Sequence, residues 1–274
     1  MSNYIAIKSL LNSYFVDALS FDTLDGQWNS REGQKLPLYQ SRDHSRILYI
    51  SGAALQLSKF HNQPTLEIAS GIVSVLLAKD SEAFTLDVVP PGWIHLQLTQ
   101  GFLAVWLQRL VVSNVKGEGE MGTRKITRHN SSRLFAIQYA HARCYSLLRL
   151  AHREGLIKLI NDGILLSAVE IPWLKDEQKL RFTHPAEGYL VWELVRVIDN
   201  LECPDVNGEV NWEKLAWDLS QAFESFWCEC RIWGKVKISA PELAQARLGL
   251  MIATQCVLRC LLVDRLGAVA PVEF

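Results

Sequence analysis

Apolar residues recur at both strand and helix spacing in the first part of the chain, and almost wholly at helix spacing in the second. Ile7, Leu10, Leu11, Tyr14 and Ala18 share one stripe, which predicts a helix over residues 3–19 with Ser2 or Asn3 as its cap. Residues 20–45 are polar and turn-rich and read as a loop, and Arg46–Ile50 has strand composition. One helix opens after Ser51-Gly52 and runs through Lys59; another begins at Pro64, which suits a first helical turn, and runs to Lys79. Phe84–Val89 and Trp93–Leu98 alternate in polarity on either side of the turn Pro90-Pro91-Gly92, and Thr99 caps a helix through Leu110. Beyond residue 130 helices are expected at 134–155, 187–201, 212–233 and 241–267, with a short helical piece at 156–166. Residues 172–182 read as a loop and Cys203–Gly208 as a turn. The predicted fold class is α+β: a small mixed α/β domain over 1–112, followed by an all-α helical bundle over 131–274. Residues 113–130, with three glycines, many charges and little to bury, read as a connector.

Composition adds a core and removes some functions. Of 274 residues, 49% are hydrophobic, enough for two modest domains with proper interiors. Arg109, Arg143, Arg149, Arg259 and Arg265 interrupt the longest apolar runs, so no membrane-spanning stretch is expected. Met1-Ser2-Asn3-Tyr4 lacks the basic flank of a secretory signal, and a cytoplasmic location is expected. Net charge is −1, against indiscriminate nucleic-acid binding but not against a local basic patch. Lys+Arg number 8 against 9 Asp+Glu over 1–112, 4 against 2 over 113–130, and 16 against 18 over 131–274. All six cysteines lie in the second half, and neither Cys228-x-Cys230 nor Cys256-x3-Cys260 has a finger-type partner. They are expected to be buried thiols, with no metal and no cofactor.

Leu134–Gly155 is the most informative stretch. Ile137, Cys144, Leu148 and Ala151 form its apolar stripe, with Leu134 and His141 beside it, while Tyr139 and Arg143, one turn apart, point roughly the opposite way. An aromatic ring and a planar cation on one helical face suit an unpaired base and its backbone. A second buried face is the alternative, since Phe135 and Leu150 lie on that side too.

The string Phe135-Ala136-Ile137-Gln138-Tyr139-Ala140-His141-Ala142-Arg143 closely resembles the first helix of the anticodon-binding domain of arginyl-tRNA synthetases. That resemblance implies that Tyr139 and Arg143, with the preceding Gln138, face an anticodon loop; the family often has an aromatic where this chain has Ala136. Glu187…Leu190, Phe223-Glu224-Ser225-Phe226, Cys230-Arg231-Ile232 and Ala246-Arg247-Leu248-Gly249-Leu250 continue the likeness. So does the terminal Ala270-Pro271-Val272-Glu273-Phe274, where Phe274 takes the place of a methionine that shapes the family's anticodon-loop surface. The first domain resembles the family's additional N-terminal domain, which touches the tRNA D loop. The likeness rests on residues 53–59, on Pro64 with its helix, and on Pro91-Gly92-Trp93-Ile94-His95-Leu96. It implies RNA contacts at Trp93 and His95, the latter standing where the family reads a base with Asn. Where the family's catalytic domain is inserted this chain has the connector, and no H-I-G-H-like, K-M-S-K-like, P-loop or G-x-G-x-x-G sequence occurs.

Two functions follow from these observations. One is a non-catalytic RNA-binding protein whose partner is a tRNA, an arginine tRNA among them, or another structured RNA. The other is an interaction module whose bundle meets a protein partner in a larger complex, with no membrane involved. Scattered groups such as Asp25, Asp43-His44 and Asp80 assemble no active site, so the chain is expected not to be an enzyme. The pure protein is accordingly expected to give no arginine-dependent ATP–pyrophosphate exchange, and exchange above background overturns that expectation.

Overall fold

The computed structural model describes residues 5–21, 36–60, 63–79, 82–113, 132–160, 164–165, 170–175, 178–204 and 209–274. The chain divides into two compact units, residues 6–103 and residues 1–5 with 104–274, so the division falls inside the helix that follows Thr99. The expected connector lies almost wholly outside the described residues.

In the first unit α1 (Ile7–Phe21), α2 (Ala53–Leu57) and α3 (Thr65–Lys79) accompany a four-stranded antiparallel sheet. The strands are β1 (Leu38–Gln40), β2 (Leu48–Ser51), β3 (Phe84–Val89) and β4 (Trp93–Leu98), in the spatial order β1-β2-β4-β3. β1 falls within the expected loop; three residues are too few to show alternation, and pairing with β2 makes them a strand. Period two does the rest: Tyr49, Phe84, Ile94, Leu96 and Leu98 are buried, while Tyr39, Asp87 and Trp93 are exposed and Ile50 and His95 half-buried. At the β3–β4 turn Gly92 has φ +143°, and a Cβ there would lie 2.4 Å from Thr65 Cγ2 at the start of α3. Only glycine meets both conditions.

α4 (Gln100–Ser113) leads into the second unit, where α5 (Ser132–Arg153), α6 (Pro185–Glu202), α7 (Trp212–Glu229), α8 (Lys235–Ser239) and α9 (Pro241–Cys260) form a bundle. Two expectations change here. The short helical piece at 156–166 is instead a pair of antiparallel strands, β5 (Leu159–Ile160) with β6 (Ile164–Leu165), and residues 161–163 lie outside the described residues. The loop at 172–182 holds a second such pair, β7 (Leu174–Lys175) with β8 (Lys179–Leu180). The expected helix to Trp233 ends at Glu229, and Gly234, at φ +69°, starts α8. α9 continues into a π-helical turn, Leu261–Arg265. By length and composition alone the run Pro241–Arg265 would span a membrane, contrary to expectation, but 83% of its most apolar window is buried in the bundle. The run carries five charged residues, Glu242, Arg247, Arg259, Asp264 and Arg265, and burial shows where its apolar surface is used.

A buried ion pair joins the helices. Glu187, fully buried, accepts from Arg247 Nε at 2.6 Å with one oxygen and from the backbone N–H groups of Thr183 and His184, both at 2.8 Å, with the other. His184 is the N-cap of α6, so this carboxylate closes a capping box and neutralises a cation from α9 together. Arg247 Nη1 also donates to the Arg231 carbonyl beyond α7 at 2.5 Å.

The segment after Gly267 (φ +60°) is fastened along α5. Gln138 Nε2 donates to the Val269 carbonyl at 2.8 Å. His141, buried, lies 2.8 Å from the Pro271 carbonyl through Nδ1 and 3.0 Å from Gln255 Nε2 through Nε2. A carbonyl on one side and an amide N–H on the other fit the neutral Nδ1–H tautomer.

Arg247→Met leaves the Glu187 carboxylate buried without its counter-charge, and is expected to cost about 3–5 kcal/mol in denaturant unfolding; a loss under about 1 kcal/mol refutes the pair's role. His141 has its pKa lowered from 6.5, chiefly by burial, with the Arg259 charge acting the same way and the Pro271 carbonyl opposing. The unfolded chain therefore takes up this proton first. The stability tied to neutral His141 is complete above pH 6.5 and is lost as pH falls from there through the lower folded value. Melting temperatures of wild type and His141→Asn, compared from about pH 7.5 down to 5.5, should converge; parallel curves exclude the linkage.

Candidate nucleic-acid interface

α5 forms over 22 residues because it has neither Pro nor Gly, and it ends two residues before Gly155, whose φ is +72°. Leu134, Ile137, Ala140, His141, Cys144, Leu147, Leu148 and Ala151 are buried, packed toward α7 and α9. The opposite side is open: Phe135 is 58% exposed and Tyr139 48%. The alternative of a second buried face therefore fails for these two rings, and Leu150 is only half-buried.

On that open side the terminal segment brings Phe274, 66% exposed, against both rings of α5. The Phe135 and Tyr139 rings lie stacked with centroids 6.5 Å apart, and Phe274 stands 5.2 Å from Phe135, edge-on, and 6.2 Å from Tyr139. Next to this cluster on the helix surface comes Arg143, exposed, its guanidinium 5.2 Å from the centre of the Trp227 ring of α7. Trp233 meets Trp227 edge-on at 5.8 Å. A guanidinium held over an indole keeps its plane and its outward donors fixed. Tyr139 and Phe274 are thus in contact, Arg143 lies one turn further along the same side, and Ala136 is half-buried. Gln138 does not join them, because its amide is spent on the Val269 carbonyl.

The charge of α5 is one-sided. It carries Arg133, Arg143, Arg149 and Arg153 and no Asp or Glu, although residues 131–274 as a whole are net acidic. The net balance of the domain hides this. Phe135 and Trp227 also escaped sequence reasoning: Phe135 resembles a core residue until its face is known, and Trp227 reaches Arg143 only through the packing of α7 on α5.

In the first unit Trp93 and His95 project from the same side of β4. Trp93 packs beside Gly52, where an added Cβ would lie 3.0 Å from its Cζ3. His95 stands between Ile50 and Asp87 across the sheet, and further along the strand Gln97 Oε1 accepts from Arg46 Nη1 at 3.3 Å. This face offers an aromatic ring and mixed polar groups without a basic surplus.

Among the described residues no three His, Cys, Asp or Glu side chains are grouped as metal ligands would be. Cys144, Cys230 and Cys260 are buried as expected while Cys203 and Cys256 are only half-buried, and burial pushes the Cys144 and Cys230 thiols up, Cys230 to about 12. Cys228 is exposed, because α7 turns that position outward beside the buried Phe226.

Residues 137–271 match the family model of the DALR anticodon binding domain. Similar proteins include an arginine–tRNA ligase of Synechococcus sp. (strain JA-3-3Ab), 32% identical over 49% of this chain and 21% of the ligase. Another is the arginine–tRNA ligase of Moorella thermoacetica, 32% identical over 50% of this chain and 22% of that protein. The match thus spans about a fifth of the length of these curated relatives. No solved structure matches the chain. From Ile137 to Pro271, then, the chain resembles the DALR anticodon binding domain, and over about half its length it is similar to arginine–tRNA ligases.

Proposed function

We propose that this protein binds the anticodon arm of a tRNA, or a structured RNA with a similar loop, and does so without catalysing aminoacylation. The observation that carries the reading is the exposed cluster of Phe135, Tyr139 and Phe274 beside Arg143, on a helix without carboxylates. Unpaired bases stack on such rings, and an arginine fixed by an indole grips the backbone next to them. The likeness to arginine–tRNA ligases makes an arginine tRNA a natural candidate. Trp93 and His95, on the open face of the first unit's sheet, supply a second contact to the RNA in this reading. The non-catalytic part rests on the sequence: within these residues nothing resembles the strings that hold ATP in the synthetases.

A second reading has its own observation. Val269 and Val272, in the same terminal segment as Phe274, are 54% and 46% exposed, apolar surface of the kind a protein-docking face uses. Tyr139→Ala separates the two. Loss of base stacking, worth roughly 1–3 kcal/mol, weakens tRNA binding by about one to two orders of magnitude. Arg143→Ala weakens it too, with a salt dependence shallower by about 0.7 in the log–log slope if its contact is to phosphate. Thermal melts check that both variants stay folded. Absence of saturable tRNA binding at low salt, with a protein copurifying after nuclease treatment, refutes the RNA reading in favour of the second.

A further inference from the structure

Beyond the aromatic cluster, the same open side of α5 continues into a shallow groove lined by Ser146, Arg149 and Arg153. Ser146 and Arg153 lie seven and fourteen residues after Tyr139, about 20° and 40° short of two and four full turns, so they follow it on the same side of the helix with a slow drift. From Tyr139 to Arg149 is about 15 Å along the axis, the reach of a few nucleotides of an extended strand. Arg149 is not loose. Its guanidinium lies 5.9 Å from the Tyr145 ring centre, and Nη1 is 3.4 Å from Glu273 Oε1. Glu273 is the residue before Phe274, and its side chain is 76% exposed. A carboxylate there presents to Arg149 the same pair of anionic oxygens that a phosphodiester would.

We propose that Ser146, Arg149 and Arg153 form a phosphate subsite for the RNA strand whose bases stack on Tyr139, and that Glu273 occupies it in the free protein. The inference rests on the RNA reading above and adds a direction: bases lie over the N-terminal half of α5 and backbone over the C-terminal half. The open side changes along its length accordingly, from the Phe135 and Tyr139 rings to Arg143, Arg149 and Arg153, although Arg133 also lies in the first turn. Ser146 adds a hydroxyl donor between the cations. Ser146 and Arg149 sit before the last turn, where the negative end of the helix dipole has little hold; only a phosphate beside Arg153 meets that end, which also favours the Arg153 cation. Because Glu273 and Phe274 are adjacent, a phosphate that displaces the carboxylate also loosens the neighbour of the Tyr139 ring. Strand entry and rearrangement of the terminal segment are thereby coupled.

The test uses the full chain and an RNA stem-loop with an unpaired loop, followed by fluorescence anisotropy across a salt series. Arg149→Ala and Arg153→Ala should each weaken binding about three- to tenfold and lower the log–log salt slope by about 0.7. Arg149→Lys should keep the slope. Glu273→Gln should strengthen binding about two- to fivefold, as expected on release of one exposed ion pair. In an Arg149→Ala background Glu273→Gln should change nothing, since its effect runs through that arginine. If Tyr139→Ala weakens binding while the Arg149 and Arg153 variants keep wild-type affinity and slope, the subsite is wrong and the RNA reading stands. A Glu273→Gln effect that persists without Arg149, or that weakens binding, overturns the gating. Wild-type protein that does not bind the stem-loop saturably at low salt overturns both.

Discussion

The second unit depends on one buried charge being satisfied. Glu187 has no access to water, and a carboxylate in that position is tolerated only when each oxygen has its partners. Arg247 supplies the charge, and two backbone N–H groups at the start of α6 supply the rest. Those partners come from separate parts of the chain, and Arg247 in turn reaches the carbonyl of Arg231 after α7. Any sliding of α6 against α9 would strand a charge, so the pair sets register where apolar packing alone would allow slippage. Two residues further along α9, Gly249 takes the Trp173 indole so closely that an added Cβ would lie 2.4 Å from it. Gln108 Oε1 holds that indole N–H at 2.8 Å.

A second polar network, at mid-α6, plays a comparable part without resembling a reactive site. Arg196 joins Glu193 at 2.6 Å and Asp218 of α7 at 2.8 Å, and lies over Trp192. Burial raises the Glu193 pKa while the Arg196 cation opposes it, and burial together with Glu193 pushes the Tyr189 phenol up to about 12. These groups are perturbed because they are enclosed and paired. At the other end of the bundle Arg265 lies 4.7 Å from the Trp212 ring centre and donates to the Leu201 carbonyl, joining the start of α7 to the end of α6. Several tryptophans thus serve as flat partners for arginines, which accounts for part of their abundance.

With α6, α7 and α9 in register, α5 has a fixed bed, and one of its sides must remain outside. The terminal segment covers part of that side through Gln138 and His141 and leaves three aromatic rings in the open. Large apolar rings gathered at a surface mark a candidate interaction site. Four arginines and no carboxylate along α5 give that side a positive potential, which favours an anion.

The sequence by itself determined the helices and strands wherever a period runs long enough to be read: α3, β3, β4, α5, α7 and α9 lie close to where the apolar spacing put them. It also placed Tyr139 and Arg143 on one side of α5, because that follows from 3.6 residues per turn. Short elements were beyond it. β1 and the two short strand pairs carry too few residues for a period, and their pairing comes from partners. Nor could spacing say whether the side holding Phe135 and Tyr139 is core or surface, since a core and a stacking platform use the same residue types. Which side is buried depends on how α7 and α9 pack, and that in turn on Glu187 and Arg247, sixty residues apart. Phe274 joining the cluster, Gln138 leaving it, Trp227 under Arg143 and Glu273 beside Arg149 are likewise contacts between distant parts of the chain, and only the tertiary structure decides them.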